Sequence, residues 1–490
     1  MEWLLNQTQA MRHAIQDTRA VLSVKDGVPN PLTFTARLSD LTRSTSFLLV
    51  EAQFKTLEYF SRIIHVGQEG SRELAIGTLA ADLLSGYTLL NQRERFHFLV
   101  QPQDWNLMHL RGANRILDTS AALGGTLIKA CQFASTRPDI LPTPYIESLS
   151  KLQDRVPPRP WSEIAGVIRQ ELGREPDEIF EWIDTQPVAA ASIAQVHRAR
   201  LYDGREVAIK VQYPGIVGII DTDLRVLQRI VALVGRLYHT VQLQPILDYL
   251  KETLPLELDF RREAKAMAEL RAALLHRTDV VIPESIQELS TERLLVMEYI
   301  NGVKITDRTG LLNAGISPGA VARLLNDVYA EQIFRLGMLH ADPHPGNLFV
   351  QPGPKLVLLD HGLTVPLKST LVQALSEMVN ALLVADFDRL TKALTQAGMK
   401  FEKQADISTL LQLVGVLLGE EQDKTAMDTL DVGQQLGKSI GQIPVELILM
   451  GRALGLMDGI TKQLDPDINA MEIVADYVSE MAANQVSYAL

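Results

Sequence analysis

Two short segments in the second half of the chain carry the residue types that phosphoryl transfer requires. The loop HADPHPGN (340–347) contains Asp342 and Asn347, and the triplet that begins at Asp360 follows after two strand-like runs. Phosphoryl transfer needs a carboxylate near the attacking oxygen, and Mg²⁺ prefers carboxylates and substrate phosphates as ligands. The spacing of Asp342, Asn347 and Asp360 is the arrangement in which kinases place a catalytic carboxylate and two ligands of Mg²⁺.

Two histidines in the same loop offer an alternative chemistry. His340 and His344 have a spacing that would suit zinc, but zinc sites in proteins are usually four-coordinate. Pro343 and Pro345 also prevent the two histidines from sharing a regular helical face. Zinc is therefore disfavoured, and either a structural role or support of the active site stays open for both histidines.

An alanine-rich stretch and a lysine upstream predict nucleotide binding. Lys210 closes the strand-like run VAIK, where a kinase lysine contacts the α- and β-phosphates. Before it, Ala189, Ala191, Ala194 and Val196 have the spacing of a glycine-rich phosphate loop with alanine at every glycine position. Glycine allows backbone amides to approach phosphates closely. The methyl groups should therefore stiffen the loop and change the pose of the phosphates.

A third strand-like run, LLVMEYI (294–300), ends where the hinge of a kinase offers backbone hydrogen bonds to adenine. The predicted contact lies between Glu298 and Ile300.

Downstream, the chain passes from DHG almost directly into an amphipathic helix. Protein kinases place an activation segment and an APE element at this point. The platform for a peptide substrate is missing, which weakens the interpretation as a protein kinase.

The surroundings of these motifs predict an α+β protein with two lobes. Residues 1–117 and 118–185 are helical in pattern, residues 186–300 form a β-rich lobe, and residues 301–490 form a larger helical lobe. Asp203-Gly204 is a strong hairpin signal between two β-rich runs. Residues 348–359 predict a second hairpin, which turns at Pro352-Gly353.

Composition excludes several other classes. The net charge of -12 and the pI of about 5.4 argue against nucleic-acid binding. A single cysteine, Cys131, excludes an internal disulfide framework and a cysteine-based zinc site. The N-terminus has no signal-peptide pattern, and no apolar run reaches the ~20 residues that span a bilayer. We expect a protein on the cytoplasmic or organellar-matrix side that is soluble or peripheral on a membrane.

Several strings together resemble the UbiB/AarF family of atypical, protein-kinase-like proteins. They are AAASIAQVHRA, VAIKVQYPGI, ELDFRREA, HADPHPGN and DHG, preceded by KACQ and the stretch from 135 to 158. The resemblance covers about residues 120–365. It implies a two-lobed kinase-like fold with a helical N-terminal extension, ATP or ADP with Mg²⁺ as cofactors, and a role in isoprenoid quinone or lipid metabolism. Lipid or quinone precursors and quinone-biosynthesis proteins are the implied partners.

The resemblance also assigns roles to individual residues. Lys210 would pair with Glu263, and both would join Asp342 in the catalytic set. The family's KxGQ motif falls on Lys129 and Gln132, in an extension that covers the place of a peptide substrate. Its remaining matches are the nucleotide loop of Ala189, Ala190, Ala191 and Ser192 and an acidic pair, Glu257 and Asp259, expected to face the KxGQ lysine.

One position departs from the family pattern, since Cys131 stands where KxGQ has glycine. A larger side chain there could displace Lys129 or open a gap. Two other functions stay open at this stage: a Ser/Thr protein kinase and a catalytically silent, nucleotide-gated scaffold. The phosphoryl acceptor, the preference between ATP and ADP, and the oligomeric state are left undetermined by the residues.

Overall fold

The computed structural model describes residues 70–488 apart from 96–99, 136, 138–139, 154–157, 239–242, 402–439 and 443. The helices predicted for residues 1–69 lie outside the described residues. Within these described ranges, five α-helices precede the first strand of the main sheet: α1 (Gly70–Arg95), α2 (Pro102–Leu123), α3 (Thr126–Ala134), α4 (Thr143–Leu149) and α5 (Trp161–Leu172).

The helical extension divides differently from the predicted boundary between residues 117 and 118. Helix α2 continues through that boundary to Leu123. Ser120, beyond the boundary, is buried on this helix as Ala113 is before it. The chain turns instead at Gly124 and Gly125, whose φ values of 66° and 64° favour glycine.

The smaller lobe is built on a five-stranded antiparallel sheet in the order β1-β3-β4-β6, with β2 paired to β3. Its strands are β1 (Phe180–Ile183), β2 (Ala189–Ala190), β3 (Ala194–Leu201), β4 (Glu206–Gln212) and β6 (Leu294–Glu298). The turn at Asp203-Gly204 joins β3 to β4 as predicted. Because β1 belongs to this sheet, the lobe begins before residue 186. Apolar residues of α5, including Ile164 and Ile168, belong to the same buried core as those of the sheet.

Three helices lie between β4 and the edge strand β6 in the chain: α6 (Ile216–Leu237), α7 (Gln244–Glu257) and α8 (Phe260–Ala273). The stretch LELDFRREAKAMAELRAALL (256–275) is divided between α7 and α8, with a break after Glu257. The break occurs because the Asp259 side chain accepts a hydrogen bond from the Arg261 N–H at 3.1 Å and so caps α8.

The larger lobe combines helices with short strands. Its helices are α9 (Arg308–Asn313), α10 (Pro318–Phe334), α11 (Ser369–Leu383), α12 (Phe387–Gln396), α13 (Val445–Leu464) and α14 (Ala470–Tyr488). Its strands are β5 (Val280–Val281), β7 (Val303–Lys304), β8 (Met338–His340), β9 (Leu348–Gln351), β10 (Lys355–Leu358), β11 (Thr364–Pro366), β12 (Lys400–Phe401) and β13 (Ile440–Gln442). Strands β9 and β10 form the second predicted hairpin.

The core of this lobe surrounds α10, which packs against α13 and α14 and is buried over most of its length. Strands β8 and β11 pair beside it, so the loop after β8 and the triplet before β11 meet at one place. The fold is α+β with two lobes and a helical N-terminal region, which confirms the predicted class. Within the described residues, no helix combines the length and apolar character needed to cross a bilayer.

Candidate active site

A buried lysine is the centre of the candidate site. Lys210 lies on β4, opposite Val196 of β3 and Leu295 of β6. Its Nζ contacts both carboxylate oxygens of Glu263 at 2.8 Å and Oδ1 of Asp360 at 3.2 Å. The sheet, helix α8 and the segment after β10 thus supply one residue each to a single ionic cluster.

The charges of this cluster depend on one another. Burial opposes the charged form of Lys210, but Asp360 and Glu263 outweigh it and raise the pKa of the ammonium. Burial also opposes ionisation of Asp360, yet Lys210 and the more distant Lys129 lower the pKa of that carboxyl below its usual range. Burial raises the pKa of Glu263 to about 7 against the effect of Lys210. Asp360 is therefore held as a carboxylate at neutral pH.

The loop after β8 brings Asp342 and Asn347 together. The Asn347 side-chain amide donates to the Asp342 backbone oxygen at 3.2 Å. The Asn347 backbone carbonyl accepts from the Leu359 N–H at 2.9 Å, which ties the loop to the residue before Asp360. Asn347 Oδ1 and the Asp360 carboxylate are hard oxygen donors of the kind that Mg²⁺ takes together with phosphates and water. These two residues fit a Mg²⁺ site completed by substrate.

His340 has a defined structural task. Its Nε2 contacts the carbonyl oxygens of Leu359 at 3.1 Å and Asp360 at 2.9 Å, so Nε2 carries the proton. Its Nδ1 then accepts from the Tyr329 hydroxyl at 2.8 Å. His340 thus supports the backbone of the segment that carries Asp360. Among the described residues, no group of three or more His, Cys, Asp or Glu side chains could hold a metal ion.

The alanine-rich loop and the strand end lie at the sheet. Ala189 and Ala190 pair with Val196 and Gln195 in a short hairpin. The Ala191 N–H donates to the Ala194 carbonyl at 2.8 Å, so this amide is bound within the loop rather than turned to a phosphate. Ser192, also predicted in the loop, is buried.

Strand β6 pairs with β4 on the side away from β3 and ends at Glu298. The Glu298 N–H donates to the Glu284 carbonyl at 2.9 Å, and the Tyr299 N–H donates to the Glu206 carbonyl at 3.0 Å. Glu298 itself is exposed and Ile300 is half-buried. These two backbone N–H groups are therefore already bonded within the protein.

Helix α3, which carries the KxGQ-type residues, lies close to the candidate site. Lys129 of α3 forms an ion pair with Glu257 of α7, with an Nζ to Oε2 distance of 2.9 Å. Burial opposes the ammonium, but the carboxylates of Glu257 and Asp342 raise the pKa of Lys129. The stacked rings of Phe133 and Tyr249, with centroids 3.6 Å apart, join α3 to α7.

Glu257 and Asp259, the expected acidic pair, contact different partners. Glu257 faces Lys129, whereas Asp259 caps α8 and forms an ion pair with Arg261 at 2.8 Å. The reason is the break between α7 and α8, which places the two carboxylates on different helices. Gln132 is half-buried on α3, one turn after Lys129.

One site residue was not predicted from the sequence. Arg452 of α13 donates from Nη2 to Oδ1 of Asp342 at 2.8 Å. It lies 110 positions beyond Asp342, in a helical region without a recognisable motif. An arginine on an ordinary amphipathic helix offers no local signal that it reaches an active site.

Comparison with known proteins identifies the family. The model of the ABC1 atypical kinase-like domain matches residues 151–394. The AarF domain-containing protein kinase 1 of Gallus gallus is 31% identical, over 73% of this chain and 72% of the relative. The chain belongs to the UbiB/AarF family. The resemblance stated from the motifs is confirmed.

Other UbiB/AarF relatives match in part. The AarF domain-containing protein kinase 1 of Xenopus laevis is 36% identical over 58% of this chain, and the match spans 55% of the relative. The chain thus spans about half the length of that relative. A Mycobacterium tuberculosis protein, Rv3197, solved with erythromycin, is 24% identical with a TM-score of 0.51, covering 76% of this chain and 95% of that one. The kinase-like fold is confirmed.

Proposed function

We propose that this UbiB/AarF chain binds ATP with Mg²⁺ and either hydrolyses it slowly or transfers its terminal phosphoryl group. The observation that supports this most is the contact of Lys210 with both Glu263 and Asp360. That arrangement joins the residue expected at the nucleotide phosphates to an ion-pair partner and a metal ligand. The Mg²⁺ ion would neutralise charge on the phosphates.

Residues of the chain would bind the nucleotide and accept the proton. Lys210 would bind the α- and β-phosphates, and the segment from Glu298 to Ile300 would contact the adenine. Asp342 would accept the proton of the attacking hydroxyl or orient a water molecule. A regulatory set beside the nucleotide site is also proposed, consisting of Lys129, Gln132, Glu257 and Asp259. Within it, Lys129 and Glu257 form an ion pair.

A small-molecule or lipid acceptor fits this site better than a protein. Strand β11 ends at Pro366 and α11 begins at Ser369, so little chain is available between them for a peptide platform. We therefore propose a role in isoprenoid quinone or lipid metabolism, with lipid or quinone precursors and quinone-biosynthesis proteins as partners. Peripheral membrane contact on the cytoplasmic or organellar-matrix side is part of this proposal.

The first test is phosphate release from Mg·ATP by the purified chain and by its Asp342→Asn and Asp360→Asn variants. We expect turnover in the unmodified protein and its loss in both variants. Asp388→Asn, which changes an exposed aspartate on α12, is the matched control and should keep normal turnover. Adding candidate proteins with labelled ATP would detect the rival Ser/Thr protein kinase.

A thermal melt with nucleotide separates the enzyme from the silent scaffold. Nucleotide at 100 times its Kd should stabilise the fold by about 2.7 kcal/mol, and the shift should require Mg²⁺. A clear shift without any turnover, together with an Asp342→Asn variant that behaves like the unmodified protein, would favour the scaffold. Absence of both shift and turnover would contradict the proposed function.

A further inference from the structure

Among the described residues, the Asp342 carboxylate is contacted at one of its two oxygens. Arg452 Nη2 contacts Oδ1 at 2.8 Å, and the side chains of Arg452 and Asp342 are 13% and 21% exposed. Within the described part of the chain, no donor reaches the second oxygen, Oδ2. A hydrogen bond to one oxygen restricts the orientation of the carboxylate, and the other oxygen keeps its capacity to accept a proton.

The helix that carries Arg452 is seated in the core rather than on the surface. Ala453, the next residue, is fully buried, and Met457 is also buried. Farther along α13, the Asn326 side chain donates to Thr461 Oγ1 at 2.8 Å, and Arg308 donates to the Leu464 carbonyl at 3.1 Å. A side chain on so firmly packed a helix is held in place before substrate binds.

The two lysines of the candidate site pair with carboxylates other than Asp342. Lys210 contacts Glu263 and Asp360, and Lys129 contacts Glu257. Lys129 also interacts with the charge of Asp342 over a longer distance. Among the described residues, Arg452 is thus the cation in direct hydrogen-bond contact with the Asp342 carboxylate.

We propose that Arg452 is a positioning residue for Asp342. It holds Oδ1 and thereby directs Oδ2 toward the hydroxyl or water molecule that gives up its proton. This inference rests on the proposed function, because it assigns to Asp342 the role of proton acceptor. It also extends the active site to α13, which lies beyond the part matched by the ABC1 domain model.

The test compares Arg452→Gln and Arg452→Ala with the unmodified chain in Mg·ATP turnover. Misplacing a catalytic group by about 1 Å can cost roughly 10²-fold, and we expect kcat to fall by about that factor. The KM for ATP and the nucleotide-dependent shift in Tm should change by less than about twofold, because Arg452 acts on Asp342 and not on the nucleotide. Low, non-denaturing guanidinium chloride should restore part of the lost kcat in Arg452→Ala.

Two further variants distinguish positioning from a structural role. Arg452→Lys keeps a cation beside Asp342 and should retain part of the kcat that Arg452→Gln loses, since an ammonium group can still contact Oδ1. Arg335→Gln is the matched control because Arg335 bridges Glu331 on α10 and Glu480 on α14, away from Asp342. It should lower Tm without lowering kcat.

The outcomes separate this inference from the proposed function. Normal kcat in Arg452→Gln would overturn the inference alone. A fall in kcat without rescue by guanidinium, and with an equal loss in Arg335→Gln, would also overturn it, since that pattern reports only a weakened fold. Absence of turnover in the unmodified chain would overturn the proposed function and this inference with it.

Discussion

Asp360 has an unusual backbone conformation that its neighbours support. Its φ of 56° lies in the left-handed region, which few side chains other than Asn and Asp adopt. The conformation is supported by His340, which donates to the Asp360 carbonyl, and by the Gly362 N–H, which donates to Asp360 Oδ1 at 3.3 Å. Unusual backbone angles of this kind concentrate at functional sites, where surrounding contacts maintain them.

His361 should make stability depend on pH. Burial, with the neighbouring His340, lowers the pKa of His361 to about 3. Below pH ~6.5 the unfolded histidine takes up a proton that the folded one does not, so the free energy of unfolding falls as pH decreases from about 6.5 toward 3. The loss approaches about 1.4 kcal/mol per pH unit.

His361→Phe keeps an aromatic ring at this position and removes the titrating group. Urea unfolding between pH 5 and 7.5 should show a shallower pH slope in the variant than in the unmodified chain. The variant also loses the bond from Nε2 to the Leu358 carbonyl, so slopes rather than absolute stabilities are compared. Parallel curves would show that His361 is not the group responsible.

Cys131 fits the packed helix instead of disturbing it. Its thiol is buried between α2 and α3, 3.2 Å from the Ser120 hydroxyl, and Lys129 two positions earlier still reaches Glu257. Burial raises the pKa of the thiol to about 12. We expect no reaction with a thiol reagent such as DTNB in the folded protein and full reaction in urea.

Replacing Cys131 with the glycine of the family motif should destabilise the folded chain. Cys131→Gly should lower the free energy of unfolding by about 2 kcal/mol, because a cavity forms and glycine is a poor helix former. Urea unfolding measures this loss, and Cys131→Ala should show about half of it. A Cys131→Gly variant as stable as the unmodified chain would mean that the thiol adds no packing.

At the scale of elements, the pairing of α1 with α2 encloses a carboxylate. Asp82 of α1 is 2% exposed, and its nearest cation, Arg115 of α2, lies 3.3 Å away. Burial outweighs Arg115 and Arg111 and raises the pKa of Asp82 to about 6. The folded state therefore binds this proton more tightly than the unfolded state, and the stability it contributes is lost as pH rises through about 6.

Asp82→Asn should accordingly stabilise the chain at neutral pH. The pKa shift of about two units corresponds to at most about 3 kcal/mol at pH 7, and the gain should shrink toward pH 4. Tm measured at pH 7 and pH 5 tests this, with Asp118→Asn as an exposed control on α2. A gain that is equal at both pH values would contradict the assignment.

At the scale of the molecule, one buried ion pair joins the helical extension to the β-rich lobe. Arg72, in the first turn of α1, makes two hydrogen bonds of 2.6 Å to Asp223 of α6. It also donates to the carbonyl of Gly124 at 2.9 Å, at the turn between α2 and α3. Asp223 is fully buried, so the extension and the lobe are held together through a charge that has no access to water.

Removing one partner should therefore be far costlier than removing both. Arg72→Met leaves Asp223 buried and unpaired, and we expect a loss of about 3–5 kcal/mol. The double variant Arg72→Met with Asp223→Leu should recover most of it in urea unfolding. Arg205→Met breaks an exposed pair with Asp203 and should cost less than about 1 kcal/mol. Equal losses in the single and double variants would contradict this account.

Local features of the chain were determined by the sequence itself. The hairpin at Asp203-Gly204, the hairpin over residues 348–359 and the strand that ends at Glu298 follow from turn chemistry and apolar runs. These signals act between residues close in the chain, so they can be recognised without the fold. The motif spacings, together with the resemblance they carry, likewise indicated the family.

Contacts between distant helices were decided only by the tertiary structure. The bond from Arg452 to Asp342, the separation of Asp259 from Lys129 and the continuation of α2 past residue 117 all depend on which helix faces pack together. An arginine or aspartate on a helix has the same local pattern whether it faces solvent or a catalytic loop. Packing of the whole core, which brings remote segments into contact, settles that choice.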